Sequence, residues 1–378
     1  MQSEIANFSK DRLKPTTTIV YKIPVVPNRA TEEHNITGVI TDSEIEEYFD
    51  APEVLEEKAR KLAQAIKESS HFVVYTGAGI STAANIPDYR GPKGVWTLKS
   101  KGQAVEMKIT LQQAEPTFTH MALVTLYRKG YLKYIVSTNV DGLHRRSGIP
   151  EKGIAELHGN IYREVCPVCH SEYVRPFDIR GTGGLEFISK KRTTGRLCEK
   201  KNEDGELCCM AKLRDSIVDF GENLPKQTHI DAIENSKKAD LTLVLGSSMR
   251  VLPACDLPSF SYKQGGKFSI VNLQKTRFDE ESEKHGLRIF SKCDELMKIV
   301  LEELELTVDE WSLEDDILTK QMEGIIVDPA CGNDGLSKYN VQSMSDDGPP
   351  PAAVLDQIKA GFSFRCHVEP KILNNPHI

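Results

Sequence analysis

The chain has 378 residues, room for two or three domains, and its 39% hydrophobic and 27% charged residues are ordinary for a globular protein with a sizeable core. With 48 basic against 55 acidic side chains, the formal charge of -7 excludes a surface that grips nucleic acid all over, although a local basic stripe stays open. No N-terminal apolar core has signal-peptide length and no apolar run approaches a membrane span, so a soluble, unsecreted chain is expected.

Residues 1–50 mix Pro, Thr and polar side chains, and residues 42–57 carry acids without a single base, which reads as a loosely ordered N-terminal arm. The catalytic unit is expected at 51–312. Its first element is an amphipathic helix with Leu55, Ala59, Leu62 and Ile66 on one face, and Pro52 suits its first turn. Residues 72–75 (Phe-Val-Val-Tyr) predict a buried strand, followed by the glycine turn Gly77-Ala78-Gly79-Ile80-Ser81 and a helical start. Similar apolar runs at 134–136, 241–245 and 268–273 alternate with helix-like segments. That alternation predicts an α/β fold built on a Rossmann-like, doubly wound parallel sheet. Residues 166–209 break the pattern, being polar and holding five of the nine cysteines, and predict a small inserted zinc-binding module at about 159–214. Residues 313–378 turn acidic and then lose periodicity, as expected of a largely disordered C-terminal tail.

Gly77-x-Gly79 between a strand and a helix allows a tight turn and close approach to a diphosphate. A dehydrogenase is disfavoured, because Thr82 replaces the third glycine and no acid lies at 97–101 to meet a ribose hydroxyl. A purely structural glycine turn is the rival explanation. Cys166 and Cys169, with Cys198 and either Cys208 or Cys209, offer a four-thiolate tetrahedral site that would be structural, having no open position. Unpaired buried thiols, or His170 as a substitute ligand, are the alternatives. Asn139 and Asp141 follow a strand at the end where open α/β sheets bind ligands. His158 lies where a domain junction places a cleft and can act as a base near neutral pH, whereas His71, His120 and His144 read as structural.

The ordered set of Gly77-Ala78-Gly79-Ile80-Ser81, Ile86-Pro-Asp88-Tyr89-Arg90, Asn139-x-Asp141-Gly-Leu-His144, Leu157-His158-Gly-Asn160, paired cysteines, Phe220-Gly221-Glu222 and Gly246-Ser247-Ser248 resembles the sirtuin family over roughly residues 52–310. The residues around Gly77, Asp88 and Trp96, with the retained Phe-Gly-Glu, suggest its class IV and the sirtuin seven branch, while the long spacer between Cys198 and Cys209 is more like sirtuin six. The resemblance implies an NAD-dependent protein lysine deacylase of the histone deacetylase type, releasing nicotinamide and O-acyl-ADP-ribose. It assigns catalysis to His158 and Asn139. It assigns NAD contacts to Gly77, Ala78, Gly79, Ser81, Asp88, Tyr89, Arg90, Trp96, Thr138, Asn139, Asp141, Gly246, Ser247, Ser248, Asn272, Leu273, Gln274 and Cys293. Val218, Phe220, Gly221 and Glu222 match the strand that receives the substrate peptide. One zinc per chain falls to Cys166, Cys169, Cys198 and Cys209, the family pattern favouring Cys209 over Cys208.

Thr138 departs from the family's Gln, which puts catalytic efficiency in doubt. Two other functions use the same features: mono-ADP-ribosyl transfer at the same site, and a weakly catalytic NAD- and zinc-binding chromatin scaffold. A nucleic-acid module would draw on Arg163, Arg175, Arg180, Lys190, Lys191, Arg192 and Arg196, though a solvated charged face explains them equally well. Acylated-lysine proteins such as histones, chromatin association, no membrane and a nuclear location follow from the resemblance, which leaves direct nucleic-acid binding undecided.

Overall fold

The structure is a computed structural model that describes residues 19–21, 42–107, 109–179 and 192–317. In chain order come β1 (Ile19–Tyr21), α1 (Asp42–Ile45), α2 (Pro52–Glu68), β2 (Phe72–Thr76), α3 (Val95–Ser100), β3 (Val105–Met107), α4 (Phe118–Arg128), β4 (Leu132–Ser137), α5 (Leu143–Arg146) and β5 (Ile154–Glu156). Strands β6 (Arg163–Val165), β7 (Glu172–Val174), β8 (Thr193–Leu197) and β9 (Lys212–Asp215) then form the inserted module. The chain returns through α6 (Lys226–Lys238), β10 (Leu241–Leu245), α7 (Ser259–Lys263), β11 (Lys267–Val271), α8 (Asp279–His285), β12 (Arg288–Ile289) and α9 (Cys293–Glu303).

Six strands make one parallel sheet in the order β12-β11-β10-β2-β4-β5, the doubly wound arrangement expected from the sequence. Phe72 and Val74 pack towards α2, α4 and α9, whereas Val73 and Tyr75 pack towards α6. Because helices cover both faces, β2 reads as an unbroken apolar run instead of an alternating one. From β2 the chain winds outward to β5, then returns to β10 on the other side of β2. This reversal leaves a crevice at the C-terminal ends of β2 and β10. The module carries its own antiparallel sheet, β7-β6-β9-β8.

Three expectations change. The glycine turn leads into two 3₁₀ turns, Ala78–Ile80 and Thr82–Ala84, and not into a helix. Asn85 then adopts a left-handed conformation (φ 60°) two residues before Pro87, which stops any helix, so no helix dipole faces the turn. Of the loosely ordered arm, residues 42–50 are docked: the Tyr48 and Asp50 amides donate to the Leu273 and Phe290 carbonyls at 2.9 and 2.8 Å, and Lys58 pairs with Asp50 at 2.8 Å. Its acids find basic partners, as Glu44 does in Arg250 at 2.5 Å. Residues 313–317, assigned to the tail, also pack on the fold. Within the arm, β1 also pairs antiparallel with β3. The remaining arm and tail residues, together with Arg180, Lys190 and Lys191, lie outside the described set.

Candidate functional site

One cleft of about 2450 Å³ opens along the C-terminal ends of β2, β4, β10 and β11 and runs to the junction with the module. Pockets for single small ligands span roughly 300–1,000 Å³, so a cleft of this size has room for a dinucleotide and a second substrate. All of the proposed cofactor and substrate residues line this cleft.

Gly77 donates to the Leu245 carbonyl at 3.0 Å and Gly79 to that of Gly246 at 2.9 Å. A Cβ on Gly77 would lie 2.7 Å from the Gly246 oxygen, and one on Gly79 would lie 2.7 Å from the Gly246 Cα. Gly246 is itself left-handed (φ 61°). Backbone crowding between the two loops therefore demands these glycines, whatever is bound. It also brings the turn after β2 flush against Ser247 and Ser248 after β10.

At the end of β4, the Asn139 amide donates to the Gly77 carbonyl at 3.1 Å and its backbone N–H donates to Ser137 Oγ at 3.1 Å. Asp141 is buried and accepts from Ser81 Oγ at 2.7 Å and from the Leu143 N–H at 3.0 Å. Burial holds its carboxyl above the usual range, and those two bonds oppose the rise. Thr138 turns its hydroxyl to the Thr76 carbonyl at 3.2 Å, so this side chain is spent on the strand beside it.

His158 faces the same floor, its Nδ1 lying 3.2 Å from the Thr138 carbonyl. Burial holds its pKa below the ordinary value, and the Thr138 carbonyl partly offsets this. A neutral ring that donates from Nδ1 leaves the Nε2 lone pair for a proton. The three histidines expected to be structural are held within the fold: His71 meets Asn235 at 3.2 Å, while His120 and His144 form a buried pair with ring centroids 4.8 Å apart.

Asp88, Tyr89 and Arg90 form a loop closed by Gly91, whose N–H donates to both Asp88 carboxylate oxygens at 3.1 Å. Tyr89 stacks on Trp96 at 6.4 Å, and Trp96 meets Phe220 at 6.1 Å, an aromatic bridge from this loop to the 218–222 segment. Asn272 donates to the Gln274 carbonyl at 3.0 Å, and Leu273 receives the Tyr48 amide. Cys293 is buried, which pushes its thiol up to about 12 and makes it unreactive.

Residues 218–222, expected as a strand, are a loop. Val218 donates to the His158 carbonyl at 3.0 Å, and the Glu222 N–H closes a turn onto Asp219 around left-handed Gly221 (φ 84°). That turn prevents a strand in isolation, although an extended peptide can still pair with Val218 beside it.

Sγ atoms of Cys166, Cys169, Cys198 and Cys209 all lie within 4.8 Å of one another. The contacts of 3.5, 3.6 and 3.7 Å approach the edge of about 3.8 Å that a tetrahedron with Zn–S of roughly 2.3 Å requires. The Ser171 hydroxyl and backbone hold the Cys169 thiol down, to about 6. Cys208 is exposed, and its amide donates to the Lys200 carbonyl. These four thiols fit a structural zinc.

The module's described arginines are neutralised at home. Arg163 pairs with Glu156 at 3.1 Å and Glu172 at 3.0 Å, Arg175 and Arg196 each grip fully buried Glu164 at 2.6 Å, and Arg192 pairs with Asp215 at 2.7 Å. Those pairs engage four of the seven basic residues named for a nucleic-acid module; Arg180, Lys190 and Lys191 lie outside the described residues.

Sequence reasoning missed Arg250 and Glu47, both of which line the cleft. Arg250 stands four residues beyond the β10 exit glycine and could have been flagged there. Glu47 sits in an acidic run with nothing to single it out, and only the docked arm places it.

The family model described as Sir2 family matches residues 102–253. The chain is 47% identical over 244 residues to NAD-dependent protein deacetylase SRT1 of Oryza sativa subsp. indica, covering 64% of this chain and 48% of that protein. It is 40% identical over 267 residues to NAD-dependent protein deacetylase Sirt6 of Drosophila melanogaster, covering 70% of this chain and 81% of that one. Against NAD-dependent protein deacetylase sirtuin-7 of Bos taurus the figures are 43% over 275 residues, 71% and 65%. The chain thus spans about half the length of the first relatives it matches, 48% and 56%. A solved structure of Sir2 with a p53 peptide and NAD+ superposes with a TM-score of 0.50 at 32% identity, covering 66% of this chain and all (100%) of the other.

Proposed function

From the premise that this chain belongs to the Sir2 family, we propose that it removes acyl groups from protein lysines at the cost of NAD, releasing nicotinamide and O-acyl-ADP-ribose. The catalytic unit comprises residues 51–312 together with the docked residues 42–50 and 313–317, with the zinc module inserted at about 159–214. One observation carries the reading most: His158 presents a proton-accepting imidazole to the floor formed by Asn139 and the Gly77 turn. Bound NAD supplies an electrophilic ribose carbon that the substrate's acyl oxygen attacks as nicotinamide departs. Asn139 and Asp141, fixed by Gly77 and Ser81, shape the pocket around that ribose. His158 takes up protons from the ribose hydroxyls at Nε2. Arg90 brings positive charge to the diphosphate, and Ser247, Ser248, Asn272, Leu273, Gln274 and Cys293 form the adenosine end. The peptide lies along 218–222, above His158. Acylated histones, chromatin and the nucleus are the substrate and setting that accompany this reading, by resemblance to the sirtuin seven branch.

Incubating the zinc-loaded chain with NAD and acylated histone peptides, with mass detection, is expected to yield deacylated peptide and O-acyl-ADP-ribose. ADP-ribosylated protein in their place would establish the transferase alternative, and NAD binding without products would establish the scaffold.

Because burial depresses His158, its base form persists to lower pH than an ordinary histidine allows. The deacylation kcat/KM is expected to stay level through neutrality and fall only below the ordinary value of 6.5. An acid limb centred above 6.5 would show that His158 is not the titrating base.

Thr138→Gln breaks the hydroxyl bond to Thr76 and extends an amide into the cleft. One positioned hydrogen bond is worth about 0.5–1.5 kcal/mol, so NAD KM should shift by only a few-fold to tenfold. Loss of all turnover in this variant would mean that Thr138 holds the floor together.

A further inference from the structure

The last described segment, residues 311–317, turns back and ends against the turn of helix that follows Asp141. Asp316 is fully buried (0% exposed) and accepts from Nε of Arg146, itself 2% exposed, at 2.8 Å. Trp311 Nε1 donates to the Arg146 carbonyl at 3.2 Å, and its ring centroid lies 5.6 Å from the guanidinium. Arg146 Nη1 also donates to the Ala114 carbonyl at 2.6 Å. Ile317 packs on the cluster of Ile161, Tyr162 and Ile217, which Val140 also joins.

Helix α5 comprises four residues, Leu143–Arg146, entered through left-handed Gly142 (φ 75°). A single helical turn has no stability of its own, so the contacts at its ends set its orientation. Asp141 is at one end, held by Ser81, and Arg146 is at the other. A buried guanidinium must have an anion beside it. Asp316 fills that role, and Asp141 is close enough for its charge to act on Arg146 as well. The Leu143 N–H donates to Asp141 Oδ1 at 3.0 Å and the Arg146 N–H donates to the Gly142 carbonyl at 3.0 Å, so the hold on Arg146 is passed through this turn to Asp141.

We propose that residues 311–317 are a strap that positions the Asn139–Asp141 floor for NAD, with Asp316 and Trp311 acting through Arg146 as positioning residues. The proposal rests on the reading of the cleft as an NAD site.

The test uses the full chain with Asp316→Asn, Asp316→Glu and Trp311→Ala. NAD affinity is read by calorimetry, and hydrogen exchange is followed over residues 139–146. Asp316→Asn is expected to weaken NAD binding and raise NAD KM by about tenfold while leaving peptide KM within about twofold, a split that general loosening would not give. Exchange over 139–146 should quicken, zinc content should hold, and Asp316→Glu should recover most of the affinity. Trp311→Ala should move NAD binding in the same direction by less. Wild-type NAD affinity and exchange in a folded, zinc-loaded Asp316→Asn overturn the strap. If that variant fails to fold, Trp311→Ala carries the test alone, and wild-type NAD affinity and exchange in that folded, zinc-loaded variant overturn the proposal equally. A wild-type chain that binds NAD but deacylates nothing defeats the deacylase reading, while the binding and exchange data still decide the strap. A chain that binds no NAD overturns both.

Discussion

Cys209→Ser is expected to abolish zinc retention and unfold the module, whereas Cys208→Ser should leave both metal content and melting unchanged. The two cysteines are neighbours, yet Cys209 Sγ lies 3.6 Å from Cys166 Sγ and 3.7 Å from Cys169 Sγ, while Cys208 is exposed on a turn. The module's own apolar support is thin: Leu213 is buried beside Cys166 and Cys198, with Tyr173 and Ala211 against them. Structural zinc contributes about 10–16 kcal/mol in small modules, as large as the usual 5–15 kcal/mol margin of a whole domain, so loss of metal is expected to unfold this sheet. Consequences should reach the cleft, because Arg192 beside β8 grips Glu222 of the substrate loop and Val218 hangs from His158. Metal analysis with thermal melting checks the prediction. A metal-free Cys208→Ser, or a fully loaded Cys209→Ser, would move the fourth ligand.

The parallel sheet was legible because its strands are buried on both faces and bounded by glycine or polar residues, so residues 72–75 and 241–245 stand out in any apolar count. The four-thiol cluster was legible too; spacing alone left Cys208 and Cys209 open, because the choice depends on how the chain after β8 directs each side chain, and the family resemblance picked Cys209, which the cluster contains. The missing helix after Gly79 was not read, although the stop is written in Asn85, a residue type that takes the left-handed conformation more readily than most, and in Pro87 two residues on. Nor was the substrate loop, whose expected strand is a turn fixed by an Arg192–Glu222 pair far apart in sequence. The docked arm and strap share one cause: their acidic residues resemble any solvated run until Arg250 and Arg146, each distant in sequence, are brought alongside.

His158→Ala is expected to lower the deacylation kcat by about 10²- to 10⁴-fold, the span that a positioned general base supplies, with NAD affinity largely retained. Retained affinity follows from how the residue is held. The backbone of His158 stays tied through its carbonyl to the Val218 amide at 3.0 Å, and the side chain's bond goes to the Thr138 carbonyl at 3.2 Å, not to the residues that fix Asn139 or Asp141. Removing the ring therefore leaves the Gly77, Ser81 and Asn139 contacts in place. If His158 moves protons only after nicotinamide has left, exchange of labelled nicotinamide into NAD should survive in the variant while release of deacylated peptide is lost. Measuring both on one preparation, alongside calorimetric NAD binding, separates a chemical role from a structural one: parallel loss of exchange, binding and deacylation would make His158 a support of the fold, and undiminished deacylation would remove it from the mechanism.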